Sequence, residues 1–575
     1  MAAAPPPAGS SVTPVAPPPA TPEPAVGAGA DGPVGSMPIG IPLPGDHVVR
    51  LVLVDIADPG APRILETLDL DGRYLSARLV DGTVRLVTTS TPRVAGRSPA
   101  EPSGPGQERA ALEQNRRAEG QATVGQILPT AVHRGPDGAE LSNAPAVDCS
   151  AVQHAQGGAP GVGTLLVTTL RPAAGLTAVR STAVTTDGDL VYASTDRLYV
   201  ATSRWGTVGP VQPGTRRAIA AAPDDVTTEV HAFDTSSPTS TRYLGSGSVH
   251  GYLYGRWALS EHEGHLRVAT TLQPPWDGGG QTSSSMVVLA EDGGRLVERG
   301  RLDGLGQDER IHAVRYFGDL AVVVTFRQTD PLYVLDLSDP ARPRRLGELK
   351  IPGFSSYLHP VGDDRLLAVG QDADASGRIT GFQLSLFDLT DRAHPRQVDR
   401  LALGQGHSPA SEDSRAFGYH PQRRLGTLPF TSWQPGTDRS RSFALGVRVT
   451  PDFHLVEAGR LDVGPSTTVE RVLIDGDIGY AVTPQGVVAM DPASLARRGS
   501  AVFAGVAPAP RDIPLPEPSP GKIGPGGGED LNCAVSSDRS VFCPDSGSGS
   551  EGAGNRGSTP PGAAGDIEPE SPGAG

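Results

Sequence analysis

The alternation of apolar and polar positions is most regular between Arg310 and Gly353, where four apolar, β-prone runs follow one another: IHAVRYF, LAVVVTF, LYVLDL and RRLGELKI. They are separated by Gly318-Asp319, by Thr329-Asp330-Pro331, and by Ser338-Asp339-Pro340 with Pro343. Each separator is turn chemistry: Gly tolerates positive φ, Pro fixes φ and donates nothing to a ladder, and Asp or Ser bonds its own backbone. The run therefore predicts a four-stranded antiparallel meander, with strands a to d joined by short loops. A lone meander has two faces to cover, so copies of it are expected to pack on one another.

Copies are legible along the chain. HVVRLVLVDIADPGAPRILETLDLDG, from His47, repeats the second half of the unit, with Asp55, Asp58, Pro59 and Pro62 in the places of Asp336, Asp339, Pro340 and Pro343. SLFDLTDRAHPRQVDRLALG repeats it again through Asp388, Asp391 and Pro395. Threading the same phase finds seven complete units and an orphan c–d hairpin before Gly72, as if the chain began in the middle of a blade. A long insertion interrupts the first complete unit after VRLVTTS; within it ERAALEQNRRAEGQ, about 106–121, is the one convincing helix. Four strands recurring at a propeller-like spacing with almost no helix predict an all-β chain, a β-propeller of seven to eight four-stranded antiparallel blades over residues 46–505. A β-sandwich does not predict so many returns of one phase.

Composition marks the ends. Much of the excess in the 73 Gly and 56 Pro lies in residues 1–45 and 506–575, which bury too little apolar surface to offset ordering entropy and read as disordered tails. CAVSSDRSVFC is the one β-like island of the second tail; Cys533 and Cys543 there are close enough in sequence for a small disulfide loop, and Cys149 has no evident partner. A net charge of -15 argues against a nucleic-acid partner, and no window is apolar for long enough to span a bilayer. MAAAPPPAGSSVTP has neither the basic nor the apolar region of a signal peptide.

The stretch from Glu309 to Asp391, with ALEQNRRAEG and RLYVATSRW, resembles the secreted β-propeller domain proteins of bacteria and archaea. The resemblance runs from about His47 to Phe503 and implies an extracellular or cell-surface propeller of uncharacterised function, with no active site to carry over. Members of that family tend to open with a signal or lipid-anchor segment and an initial blade; without them, either secretion is in doubt for this chain or the start at Met1 reads as truncated or misassigned.

Candidate chemistry is sparse. Asp372, Asp374 and Ser376 alternate in a loop followed by Gly377, a pattern that can wrap calcium; the acid such loops carry at position nine or twelve is missing, and the competing reading is a solvated turn. His262-Glu263-Gly264-His265 spaces its histidines three apart with a glycine, which suits a β-turn and not a zinc helix. Aligning the a strands on their turns puts Arg78, Glu261, Arg315 and His359 at one position of the innermost strands, a candidate polar ring at the channel mouth, against which stands inter-blade salt bridging. His312, Arg327 and Asp330 join that set. Nucleophile elbows and phosphate loops are absent. The expectation is a monomeric, non-enzymatic binding or scaffold module for a protein or glycan; the alternatives are an enzyme at the channel mouth and a calcium-stabilised propeller.

Overall fold

The computed structural model describes residues 47–58, 60–96, 105–155, 163–177, 179–204, 226–272, 282–326, 329–362, 364–374, 378–433, 440–464 and 467–503, with 534–535 and 541–542. The chain divides into two units, Met1–Pro510 and Arg511–Gly575. In the second, Ala534–Val535 pairs antiparallel with Val541–Phe542; Cys533 and Cys543 lie outside the described residues.

The first unit is a series of eight sheets. The meander anticipated from Arg310 onward is the fifth: Arg310–Phe317, Leu320–Phe326, Thr329–Asp336 and Arg344–Pro352, paired in that order. The second to eighth sheets all keep the a-b-c-d order, and a single parallel bridge, Ser246 to Arg295, joins the third and fourth along their outer strands. The first sheet departs from expectation. Its hairpin, Val48–Asp55 and Arg63–Asp71, gains two outer strands, Thr130–Arg134 and Glu140–Pro145, from the insertion in the second sheet. Glu140–Pro145 is exposed throughout, so it carries no apolar alternation by which a reader of the sequence would find it. The helix of that insertion spans Pro105–Gly120, close to the predicted stretch.

Each sheet packs its apolar face on the next. Phe382 of the sixth and Phe430 of the seventh, both fully buried, meet at 5.4 Å between ring centroids. Val87 and Leu165 of the second join Val200 and Phe233 of the third in the same way. Burying side chains of this size contributes roughly 1.5–3 kcal/mol each, and seven such interfaces hold the series together.

A second device recurs at these interfaces. The turn between strands c and d of each sheet lies over strand d of the sheet before it. In four sheets the covered residue is a glycine with no room for a side chain. A Cβ on Gly245 would stand 2.0 Å from Gly294 O, on Gly300 2.4 Å from Pro340 O, on Gly347 2.3 Å from Arg392 O, and on Gly459 2.7 Å from Ser494 O. Where the residue is acidic, the carboxylate accepts a hydrogen bond from the arriving turn: Glu66 from Leu176 N–H at 2.8 Å, and Asp399 from Leu455 N–H at 2.7 Å. In the second sheet the Thr182 hydroxyl donates to Thr241 O at 2.6 Å. Gly499 of the eighth sheet holds the same place, and among the described residues nothing lies within 4 Å of where its Cβ would stand.

The aspartate ending strand c has two tasks in five sheets. Asp55, Asp234, Asp336, Asp388 and Asp491 each accept the N–H two residues on, and each pairs with an arginine entering strand d: Arg63, Arg242, Arg344, Arg396 and Arg498. At Asp491 the Ser494 N–H and the Arg498 guanidinium lower the carboxyl pKa to about 2. At Asp234 burial opposes, yet the Ser236 hydroxyl and N–H and then Arg242 still bring it to about 2. Three histidines add a separate dependence, because burial lowers His231, His312 and His359 to about 4. A histidine with a depressed folded pKa costs nothing above its unfolded value near 6.5 and destabilises progressively as pH falls from there to about 4. The depressed aspartates take over below about 4, where their unfolded forms protonate first. The denaturation midpoint is therefore expected to hold above about pH 6.5, decline toward pH 4 and fall further toward pH 2; a midpoint unchanged between pH 7 and 4 would contradict the histidine assignment.

Candidate functional site

Strand a carries a bulge in the second, fifth and sixth sheets, at Leu75, His312 and Ser356. Each bulge falls three residues before Arg78, Arg315 or His359, so these three occupy equivalent places. Glu261 is out of register with them. Arg78, Arg315 and His359 pair with the third residue of strand b, Arg85, Val322 and Leu367, whereas Glu261 pairs with the second, Leu266, next to His262 and His265. Because strand side chains alternate in direction, that step sends Glu261 to the other face. Its carboxylate accepts the Gly264 N–H at 2.9 Å, closing the hairpin turn in which Glu263 and Gly264 both have positive φ.

Around Arg78, Arg315 and His359 the structure gathers residues from non-repeating loops. In the fourth sheet Arg256–Ala258 forms a 3-10 turn ahead of a short strand Leu259–His262, where the sequence reads as one longer strand. In the seventh, strand a is broken into Gly406–His407 and Gly418–His420, and the 3-10 turns Pro409–Ser411 and Ser414–Ala416 lie between. Both loops lead to one place. Arg315 and Arg256 each lie over the Trp257 ring, at 5.1 and 5.3 Å from its centroid, and Trp257 meets Tyr357 edge-on at 6.3 Å. The Tyr357 hydroxyl is 3.1 Å from His359 Nδ1, and His359 packs between Phe417 and Tyr419. Arg256 reaches Ser414 Oγ at 3.3 Å and stands 4.0 Å from Asp413, whose carboxylate also pairs with Arg415 and Arg471.

Arg78 joins by way of the third sheet. Its guanidinium donates to Ser76 Oγ and Ala77 O and reaches Val191 O of the third sheet at 3.5 Å. Burial lowers its pKa, and the charges of Arg256 and Arg415 lower it further; the strand of Val191, Leu190–Ala193, lies against the Arg256–Ala258 turn as well as against Arg73–Val80. The second, fourth, fifth, sixth and seventh sheets thus converge on one cluster where the inner strands meet. At Asp413 burial pushes the carboxyl up, but the Arg415 N–H and the Arg471 charge outweigh it and hold it low. His359 is neutral near pH 7, because burial and then the Arg315 charge lower it to about 4. Farther along, His312 packs against Phe354, Phe326 and Tyr254, and Tyr254 and Trp257 stay 52% and 36% exposed. Arg327 and the Asp330 side chain lie outside what the structure describes.

Of the sequence candidates the structure brings together Arg78, Arg315 and His359. It adds Arg256, Trp257, Tyr357, Asp413, Arg415 and Arg471, which the repeat phase could not flag because most of them lie in loops outside the repeat. The one usable signal was a Trp-Arg pair and an Asp-Ser cap standing where strand a should begin.

The calcium candidates are otherwise engaged. Asp372 pairs with Arg400 at 3.1 Å and Asp374 with Arg378 at 3.0 Å, while Ser376 lies outside the described residues. Among the described residues no three His, Cys, Asp or Glu side chains gather to hold a metal ion. Both carboxylates being held by arginine, the melting temperature is expected not to move on adding EDTA and then excess calcium; a rise with calcium would restore the metal reading, since a ligand of the folded state alone must stabilise it.

The chain is 41% identical over 184 residues to an uncharacterised protein of Methanocaldococcus jannaschii and 43% identical over 185 to one of Archaeoglobus fulgidus. Each match takes in 32% of this chain and under a third of the relative, 28% and 27%. A solved structure from Lactobacillus plantarum overlaps 59% of this chain and 90% of its own at 12% identity, with a TM-score of 0.32. The family model described as "Beta propeller domain" matches residues 12–495, and with the eight stacked sheets it fixes the assignment: the chain belongs to the beta propeller domain family.

Proposed function

We propose that this propeller is a binding module outside the cytoplasm, taking a protein or glycan partner at the cluster around Trp257. The location rests on the family resemblance of Glu309–Asp391. The observation that carries the binding reading is the convergence of Arg256, Arg315 and Tyr357, from three sheets, on a partly exposed tryptophan, with Asp413 and Ser414 of a fourth beside Arg256. Arginine and aromatic side chains are the groups on which binding energy concentrates, and here ring stacking and cation–π contacts of roughly 0.5–2 kcal/mol preorganise them. The test is binding of the full chain to glycan and peptide arrays, compared with Trp257→Ala and Arg315→Ala. Unchanged melting with lost binding supports the site; binding indifferent to both substitutions places the partner elsewhere and removes the proposal.

A further inference from the structure

Five guanidinium groups, those of Arg78, Arg256, Arg315, Arg415 and Arg471, share the cluster with the carboxylate of Asp413, and Glu412 lies at its edge near Tyr254. Five positive charges thus face two negative ones in a chain whose net charge is -15. The surplus is not spread evenly. Asp413 serves Arg415 and Arg471 closely and Arg256 only at 4.0 Å, and no described carboxylate pairs with Arg78 or Arg315. Arg315 receives no hydrogen-bond acceptor from the described residues, while its guanidinium lies over Trp257. Elsewhere the chain treats arginine differently: Arg63, Arg242, Arg344 and Arg396 are each matched to an aspartate.

Half-buried like charges repel, and a planar guanidinium fork with no carboxylate partner among the described residues suits the two oxygens of a carboxylate, sulfate or phosphate group. We propose that the ligand of this site carries an oxyanion group, which seats between Arg315, Arg256 and Arg78 with Trp257 fixing the first two guanidinium planes. This rests on the binding reading above and adds the chemistry of what is bound. Asp413 then has two roles, holding Arg415 and Arg471 in place and limiting affinity by its own charge.

Isothermal titration of the full chain with sodium sulfate, sodium phosphate and sodium glucuronate, at constant ionic strength in chloride, tests it. At least one anion is expected to bind, with sulfate and phosphate separated from the carboxylate by which arm saturates first. Arg315→Ala is expected to weaken binding tenfold or more and Arg315→Lys to recover part of it, because lysine keeps the charge and loses the fork. Asp413→Asn is expected to tighten binding several-fold, an effect of opposite sign that unfolding cannot mimic. Arg344→Ala, at a paired arginine of the outer strand, leaves it unchanged. Should Arg78→Ala fail to fold, Arg315→Ala beside the exposed Trp257 still decides the matter. Anion binding that survives Arg315→Ala, or falls equally in Arg344→Ala, overturns the proposal. If no anion binds while a neutral glycan or peptide does so through Trp257, the oxyanion inference falls and the binding reading stands; if the arrays also show nothing that Trp257→Ala removes, both fall.

Discussion

Replacing Gly347 by valine is expected to destabilise the protein by about 3 kcal/mol, whereas the same substitution at Gly499 leaves stability nearly unchanged. The two glycines hold equivalent places in strand d, next to the bulge that each outer strand makes. At Gly347 a Cβ would lie 2.3 Å from Arg392 O and 2.7 Å from Ala393 O, both backbone atoms of the arriving turn. Backbone cannot rotate aside as a side chain can, so the turn must lift from the sheet and take with it the packing of the fifth on the sixth, where Leu332, Val334 and Ile351 meet Leu358 and Leu366. At Gly499 no atom of the described residues lies within 4 Å of a Cβ, and an exposed strand accepts valine readily. Denaturation of the two variants side by side separates this account from a general intolerance of strand glycines to substitution. Equal losses at both positions would refute it.

Substituting Asp388 by alanine is expected to cost about 3–5 kcal/mol. Its carboxylate is 7% exposed and binds Arg365, itself 16% exposed, as well as Arg396 and the Thr390 N–H. Burial alone would raise its pKa, but the Thr390 hydroxyl and N–H, the Arg365 charge and Arg396 together hold it low. Removal strands Arg365, a cation lying over the Phe453 ring at 4.6 Å. An uncompensated buried charge is the costly outcome, and removing both partners is far less so. The double variant Asp388→Ala with Arg365→Met should therefore be more stable than Asp388→Ala alone, since methionine keeps an apolar contact with Phe453. A double variant that simply adds the two losses would show that the pair is not coupled.

The turn chemistry that located the repeats was read correctly as local, and its tertiary use was invisible. Asp336, Asp339, Pro340 and Pro343 told of a turn between strands c and d. That Pro340 and Ala341 lie on Gly300 of the preceding sheet could be known only once the sheets were stacked. The cluster around Trp257 was half legible for a related reason. Arg78, Arg315 and His359 were found because strand a repeats, and a shared bulge keeps them equivalent; Glu261 was included by the same alignment and missed by one residue, enough to reverse its face.

What the sequence by itself determined is therefore the element order: alternating apolar runs, turns of Gly, Asp and Pro, and a four-strand phase, all set by interactions within a few residues. What only the tertiary structure decided is which distant segments meet. The first hairpin is completed by Thr130–Arg134 and Glu140–Pro145, and Trp257 reaches Arg315, and Asp413 reaches Arg256, from loops that belong to no repeat. The physical reason is that pairing and turning are encoded by spacing along the chain. Convergence at the middle of the stacked sheets depends instead on how each sheet packs against the last, and no local pattern of residues records that angle.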